Sequence, residues 1–276
     1  MVNYNGSIKQ SSEVVVETNR GFLYGDAVFE TLRVTQSILF LEEHYLRLMA
    51  AMRICRMDIP MNFTMEYFEE QIMLLVQHLE KSPAYRIRCT VFRDANGFYT
   101  PDTNAASFII SALPLTDEKY QINAKPYEVE LYKDFHVTKH LLATLKTTNK
   151  MVHTLAGIFA KENYYQNCLL INEDKNIVEA IQGNVFMKIG SKVCTPPISD
   201  GCINGVLRKQ VIKLLKADTT IEFEERSISP FELQKADELF LSNVIMGIQP
   251  ITKYRKKEYE NTFAVALTHQ LNESIN

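Results

Sequence analysis

The sequence has no long apolar run, no Cys-x-x-Cys pair and no excess of charge of one sign, and each absence excludes a class of protein. The longest apolar stretches, such as Ile72 to Val76, fall far short of the roughly 20 residues of a membrane-spanning helix. Thirty basic residues stand against thirty-three acidic ones, so a formal charge of −3 gives no overall field to recruit nucleic acid or anionic membrane. The five cysteines (Cys55, Cys89, Cys168, Cys194 and Cys202) are odd in number and scattered, and no histidine cluster has metal-ligand spacing. A disulfide scaffold and a metal site are therefore not expected. The opening residues Met1 to Gly6 lack the charged-then-apolar run of a secretory signal. Reduced thiols and a cytoplasmic location are the expectation. No Gly-x-Ser-x-Gly elbow is present, and neither Gly-rich phosphate loop occurs.

What is there is an ordinary globular balance, 46% apolar and 23% charged, over 276 residues. That length corresponds to about two domains and can bury roughly three quarters of its unfolded surface. Asn5-Gly6 is a hairpin turn signal preceding the run Ser12 to Glu17. Ala27 to Val34 reads as a strand, followed by an extended Ile38-Leu39-Phe40. Leu41, Tyr45, Leu48, Met52 and Cys55 recur at spacings of three and four, which predicts a helix. A second helix is expected from near Thr64, burying Phe68, Ile72, Leu75 and Val76. Tyr85 to Phe92 alternates, with Ile87, Cys89 and Val91 on one face and Arg86, Arg88, Thr90 and Phe92 on the other. A strand at Ser107 to Leu113 runs into Pro114-Leu115-Thr116. Later come strands near Tyr127 to Leu131, a helix from about Lys150 to Tyr164, a hairpin-like stretch from Cys168 to Thr195, a helix after Gly205 and a strand at Leu239 to Asn243. Strict βαβ alternation is missing, so the expected class is α+β, a mixed α/β protein in two domains. Their bounds are 1–113 and 125–276, with an interdomain linker at 114–124.

Four features carry candidate chemistry. Lys146 precedes Thr147-Thr148-Asn149 and an amphipathic run, so Thr148 or Asn149 can cap a helix with Lys146 just upstream. A helix N-terminus disfavours an ammonium, and a partly neutral lysine is a nucleophile; the alternative is a solvated surface lysine. Glu179 interrupts the apolar run Ile177-Val178-Glu179-Ala180-Ile181. Facing inward it needs a cationic or hydrogen-bonding partner, such as a pyridinium nitrogen; facing outward it is an edge-strand carboxylate in water. Gly205 before Val206-Leu207-Arg208 lets the first N–H groups of a helix approach a phosphate, or is simply a turn glycine. Arg86 and Arg88 share a strand face and suit carboxylate recognition, or form a solvated face. The six histidines show no partner spacing.

Together these features resemble fold-type IV pyridoxal-phosphate enzymes, the class IV aminotransferase family of branched-chain and D-amino acid aminotransferases and aminodeoxychorismate lyase. The run from Arg20 through Tyr24-Gly25-Asp26 and Phe29-Glu30 to Arg33 resembles the N-terminal signature of that family. His44-Tyr45-Leu46-Arg47-Leu48 resembles its next block, and Lys146-Thr147-Thr148-Asn149 the cofactor-lysine block. Glu179 through Asn184-Val185-Phe186, then Thr195-Pro196-Pro197 with Gly205-Val206-Leu207-Arg208, and finally Ala236 to Asn243 through Pro250, resemble the rest. The resemblance covers nearly the whole chain. It implies a two-domain, D-amino acid aminotransferase-like fold and pyridoxal 5'-phosphate carried on Lys146. It implies a phosphate held by Arg47, Val206 and Leu207, a ring nitrogen paired with Glu179, and further cofactor contacts at Asn184, Asn243 and Val244. Substrate contacts at Tyr24, Phe29 and Arg88, a small-molecule amine as substrate, and a homodimer are implied as well.

Two positions depart from the family pattern. Leu207 stands where Thr is common, leaving backbone N–H groups to the phosphate, and Gly183 replaces the usual Ser or Ala. Asn204-Gly205 and Asn243-Val244-Ile245-Met246 are more similar to aminodeoxychorismate lyases, as is Met151, where transaminases often carry Tyr. Arg88 is more similar to branched-chain transaminases. The reading favours a 4-amino-4-deoxychorismate lyase, releasing pyruvate and 4-aminobenzoate in the folate pathway. The alternative is a branched-chain or D-amino acid aminotransferase.

Overall fold

The computed structural model describes residues 1–123 and 125–275; Ala124, the last residue of the expected linker, and Asn276 lie outside the described residues. The chain forms two compact units. The first is Met1–Glu118 with Lys146–Asn149, and the second is Lys119–Leu145 with Lys150–Asn276. The first unit thus takes in the beginning of the segment read as a linker, and four residues from far along the chain.

In the first unit, β1 (Val2–Tyr4) turns at Asn5-Gly6 into β2 (Ser7–Lys9). Both turn residues have positive φ, 49° and 87°, the two-residue geometry that matches strand twist. The hairpin is complete at Lys9, paired with Val2, so Ser12 to Glu17 is not its second arm. Ser11–Glu13 instead forms a 3-10 turn closed by reciprocal Gln10 and Glu13 bonds. After α1 (Arg20–Leu23) comes β3 (Ala27–Val34), whose β-branched residues fit a buried strand. Ile38 bridges back to Val34, and Leu39-Phe40 turns rather than extends; Phe40 takes a left-handed φ of 57°.

The helix α2 (Leu41–Ile54) buries Leu48 and Met52 as expected, but its inner face begins with the fully buried His44 of the first turn. Thr64 caps α3 (Met65–Gln77) by accepting the Tyr67 N–H at 3.2 Å. Then β4 (Ala84–Arg93) and β5 (Ala106–Leu115) complete a sheet in the order β2-β1-β5-β4-β3. Ile87, Cys89 and Val91 are buried on one face of β4. Phe92, on the other, is also buried, meeting the Tyr4 ring at 6.2 Å.

This sheet leaves β3 at an edge, and Lys146–Asn149 covers it. Phe29 N–H donates to Lys146 O at 2.8 Å and Thr148 N–H to Ala27 O at 3.0 Å, with Thr147 bridged antiparallel to Val28. An edge strand offers unpaired backbone groups, and this short segment satisfies them.

The second unit carries two sheets. The first consists of β6 (Glu128–Tyr132), β7 (Asn167–Ile171), β8 (Ile177–Ala180) and the short β14 (Lys253–Tyr254) and β15 (Lys257–Glu258), ordered β15-β14-β6-β7-β8. The other has β9 (Asn184–Ile189), β10 (Lys192–Thr195), β11 (Glu222–Glu225), β12 (Glu238–Asn243) and β13 (Gly247–Ile251), ordered β11-β10-β9-β12-β13. Val129, Leu169, Ile177, Val185, Leu239 and Ile251 come from both sheets and share one apolar core. The short α4 (Leu141–Thr144) precedes α5 (Met151–Glu162), which packs Ala156 and Ala160 against Cys168, Leu170 and Val178. The helices α6 (Val206–Ala217) and α7 (Thr262–Ser274) lie against the other sheet, where Phe186 and Phe240 stack at 5.1 Å. Strands and helices are mixed in both units, the α+β class expected. Among the described residues no helix is long and apolar enough to cross a membrane.

Candidate active site

In the first unit the sheet edge gathers Lys146, Phe29 and Arg88. Lys146 Nζ lies 4.2 Å from the Phe29 ring centroid, and the Arg88 guanidinium lies 3.7 Å from the same centroid. The ring's negative face attracts both cations and fixes their places. Arg88 Nε also donates to Thr90 Oγ1 at 3.2 Å, and burial together with the neighbouring Arg86 charge lowers its pKa. Among the described residues, no carboxylate lies within ion-pair distance of Arg86 or Arg88. Two half-buried guanidiniums on one strand face are arranged to meet an anion. The Tyr24 ring lies 5.8 Å from that of Tyr99 and 4.7 Å from the Arg20 guanidinium.

Lys146 does not owe its position to a helix start. Thr148 Oγ1 and Asn149 Nδ2 donate to Gly25 O at 3.1 and 2.9 Å rather than capping α5. Gly25, at φ 63°, has no room for a side chain because a Cβ there would meet Asn149 Oδ1. The residue at the start of α5 is Lys150, whose ammonium pKa burial lowers while the Glu179 charge opposes the shift.

Arg47 belongs to a buried cluster on the α2 side of β3. Its Nε and Nη2 form a fork on Glu30, at 2.7 and 2.6 Å, and His44 Nδ1 lies 2.7 Å from Glu30 Oε2. Burial pushes the Glu30 pKa up, but the Arg47 charge and the bonds from Arg47 and His44 outweigh it and bring it to about 2. Burial lowers the His44 pKa, with Glu30 opposing and the Arg47 and Lys146 charges adding to the fall. Neither Glu30 nor His44 was singled out in the sequence. The available signal was three residues of helical spacing, His44 to Arg47, facing one acidic position inside an apolar strand.

In the second unit Glu179 points inward, with its side chain 4% exposed. Its Oε2 accepts the Ile203 N–H at 3.0 Å, and its Oε1 lies 2.9 Å from His153 Nε2. The same 203–206 segment is held from the other side by Asn184, whose Nδ2 donates to Ile203 O at 2.8 Å. Asn184 Oδ1 occupies the space a Cβ on Gly205 would need, so the chain approaches closely there only as glycine. Gly205 leads into α6 without a side-chain cap, and Val206 and Leu207 are buried at the first turn. Uncapped N–H groups at a helix start, together with the dipole, are a general means of binding an anion. The Leu207 side chain has no polar atom. Asn243 Nδ2 donates to Gln182 O at 2.7 Å, while its Oδ1 accepts the Ile245 and Met246 N–H groups. The Val244 carbonyl accepts the Tyr120 hydroxyl at 2.8 Å. Glu179, Asn184, Val206 and Leu207 are thus brought round one segment, and Asn243 joins through the pairing of Ser242 with Asn184.

Comparison with known proteins gives a consistent picture. A family model described as amino-transferase class IV matches residues 27–254. A probable branched-chain-amino-acid aminotransferase of Aquifex aeolicus is 26% identical over 277 residues, 96% of this chain and 86% of its own. Among solved structures, the branched-chain amino acid aminotransferase from Thermobaculum terrenum in its PLP-form aligns with a TM-score of 0.85 at 23% identity. The alignment covers 99% of this chain and 93% of that one. A putative 4-amino-4-deoxychorismate lyase from Legionella pneumophila aligns with a TM-score of 0.82 at 22% identity, covering 96% of each.

Proposed function

Since the chain belongs to the amino-transferase class IV family, we propose that Lys146 carries pyridoxal 5'-phosphate, the cofactor of this family's enzymes, and acts as the base on an amine substrate. The residues present fit that group. The first unit offers Lys146 and an Arg47 guanidinium held in place by Glu30. The second, taken by itself, offers an uncapped helix start after Gly205 suited to a phosphate and the buried Glu179 carboxylate suited to a ring nitrogen. When bound, the cofactor supplies an electron sink for a carbanion on the substrate.

The chain's own residues do the rest. Lys146 Nζ, positioned over Phe29, removes the proton from the carbon bearing the substrate nitrogen. The Glu179 carboxylate holds a proton on the ring nitrogen, which keeps the ring electron-poor. Arg88 receives the substrate carboxylate, and Phe29 sets its distance from Lys146. The observation that carries this reading is Lys146 itself, pinned by its backbone to the β3 edge beside an aromatic ring and a carboxylate-seeking arginine.

For the reaction we propose elimination from 4-amino-4-deoxychorismate, giving pyruvate and 4-aminobenzoate. Support comes from Asn243-Val244-Ile245-Met246, a turn tied by the Asn243 side chain where transaminases tend to carry a small Gly-Thr-Ala-like stretch. Transamination is the second reading, favoured by Arg88 and by the aminotransferase relative from Aquifex aeolicus. Incubating the holoprotein with aminodeoxychorismate and no keto acid separates them. Repeated turnover to pyruvate is expected, whereas a transaminase stalls after one half-reaction. Lys146→Ala should abolish both turnover and borohydride-fixed cofactor, and near-normal turnover in that variant would overturn the assignment.

A further inference from the structure

Glu179 can serve a ring nitrogen only if its carboxylate stays charged while almost sealed from water. A buried carboxylate stripped of hydrogen bonds takes a proton instead. Each Glu179 oxygen has a partner here: the Ile203 N–H donates to Oε2 at 3.0 Å, and His153 Nε2 lies 2.9 Å from Oε1, where its N–H tautomer donates. The backbone donor is independent of side-chain identity, so His153 is the one that a sequence change could remove. It projects from the first turn of α5, with its side chain 14% exposed, outside every motif that led to Glu179.

Other charged and titratable groups reach Glu179 without aiming it. Lys150 feels its charge, yet Lys150 Nζ donates to Leu145 O at 3.3 Å. The Cys202 thiol is pushed up to about 12, by burial first and by the Glu179 charge second, and its sulfur points to the Pro196 and Pro197 carbonyls. A carboxylate has about four lone-pair sites, so two donors still leave room for a ring N–H.

We infer that His153 is a positioning residue: its Nε2–H holds the Glu179 carboxylate in place, and thereby sets the protonation of the cofactor ring nitrogen. The inference rests on the role given to Glu179 above. Without the His153 donor, Glu179 keeps a single backbone bond, and Oε1 is no longer held in place. A carboxylate turned away from the ring nitrogen cannot hold a proton there.

The test loads the wild type and the variants His153→Leu, His153→Gln and Glu179→Gln with pyridoxal phosphate labelled with 15N at the ring, and records its nitrogen signal. Cofactor content is measured after alkaline release and folding by near-ultraviolet circular dichroism. The wild type and His153→Gln, whose amide restores a donor, should show the protonated ring. His153→Leu and Glu179→Gln should both move to the unprotonated position. If His153→Leu does not fold, His153→Asn, with an amide too short to reach Oε1, takes its place and should move likewise. A protonated signal in the donor-less variant alongside a shifted Glu179→Gln overturns the inference, as does a shift in His153→Gln equal to that of His153→Leu. An unmoved signal in Glu179→Gln instead strikes the role of Glu179 itself.

Discussion

At the scale of single residues, the first unit's stability and chemistry meet in Glu30. A carboxylate this buried persists because Arg47 and His44 bond both of its oxygens. Removing one member of such a cluster leaves an uncompensated buried charge, a loss of about 3–5 kcal/mol. Glu30→Gln should therefore lower the urea midpoint markedly at neutral pH, and free Arg47 to drift from the place proposed for the phosphate. The pH dependence has a definite sign. Folding holds the Glu30 pKa near 2, below its ordinary 4.5, so its contribution is complete above 4.5 and is lost as pH falls toward 2. His44 acts in the same direction from higher pH: burial lowers its pKa, so the unfolded chain gains a proton near 6.5 that the folded chain resists. In Glu30→Gln the acid limb between 4.5 and 2 should flatten; an unchanged limb and midpoint would show that the cluster carries no net stabilisation.

At the scale of elements, α6 is worth most for its first turn. Gly205 has an ordinary φ of −62°, so alanine is allowed there by the backbone and excluded only by Asn184. Gly205→Ala should push the Asn184 amide off the Ile203 carbonyl and spoil the helix start proposed for the phosphate while leaving the fold intact. Cofactor affinity should fall on the order of tenfold, about 1.4 kcal/mol, as read by equilibrium dialysis. Full affinity in this variant would argue that the phosphate lies elsewhere. Elements with strong periodicity were legible in the sequence: β3 coincides with the run Ala27 to Val34, and α3 starts at its Thr64 cap. The segment around Lys146 was not, because its partners Ala27 and Phe29 are more than a hundred residues away and local capping rules cannot see them. His153 and His44 escaped for a related reason, since each matters through a carboxylate on another element.

At the scale of the whole molecule, neither unit is one continuous stretch of chain, and this sets what a fragment can do. Motif order along the sequence pointed to the family, yet it could not say that residues 146–149 would be counted with the first hundred or so. Without those residues, Phe29 N–H and Ala27 O lose their bonds at 2.8 and 3.0 Å, and β3 becomes a bare, β-branched edge. Such an edge is a template for pairing with other chains, and β3 has neither proline nor a bulge to blunt it. A fragment of residues 1–118 should therefore form soluble oligomers or aggregate, measured by light scattering, although it retains all the other strands of its sheet. Restoring the edge should reverse this. The same fragment extended by a flexible linker and residues 146–149 should return toward a monomer and unfold at higher urea concentration, because the appended segment supplies both backbone bonds at a high local concentration. A monomeric, cooperatively folding 1–118 would show that the Lys146 segment is held by the sheet without being needed by it.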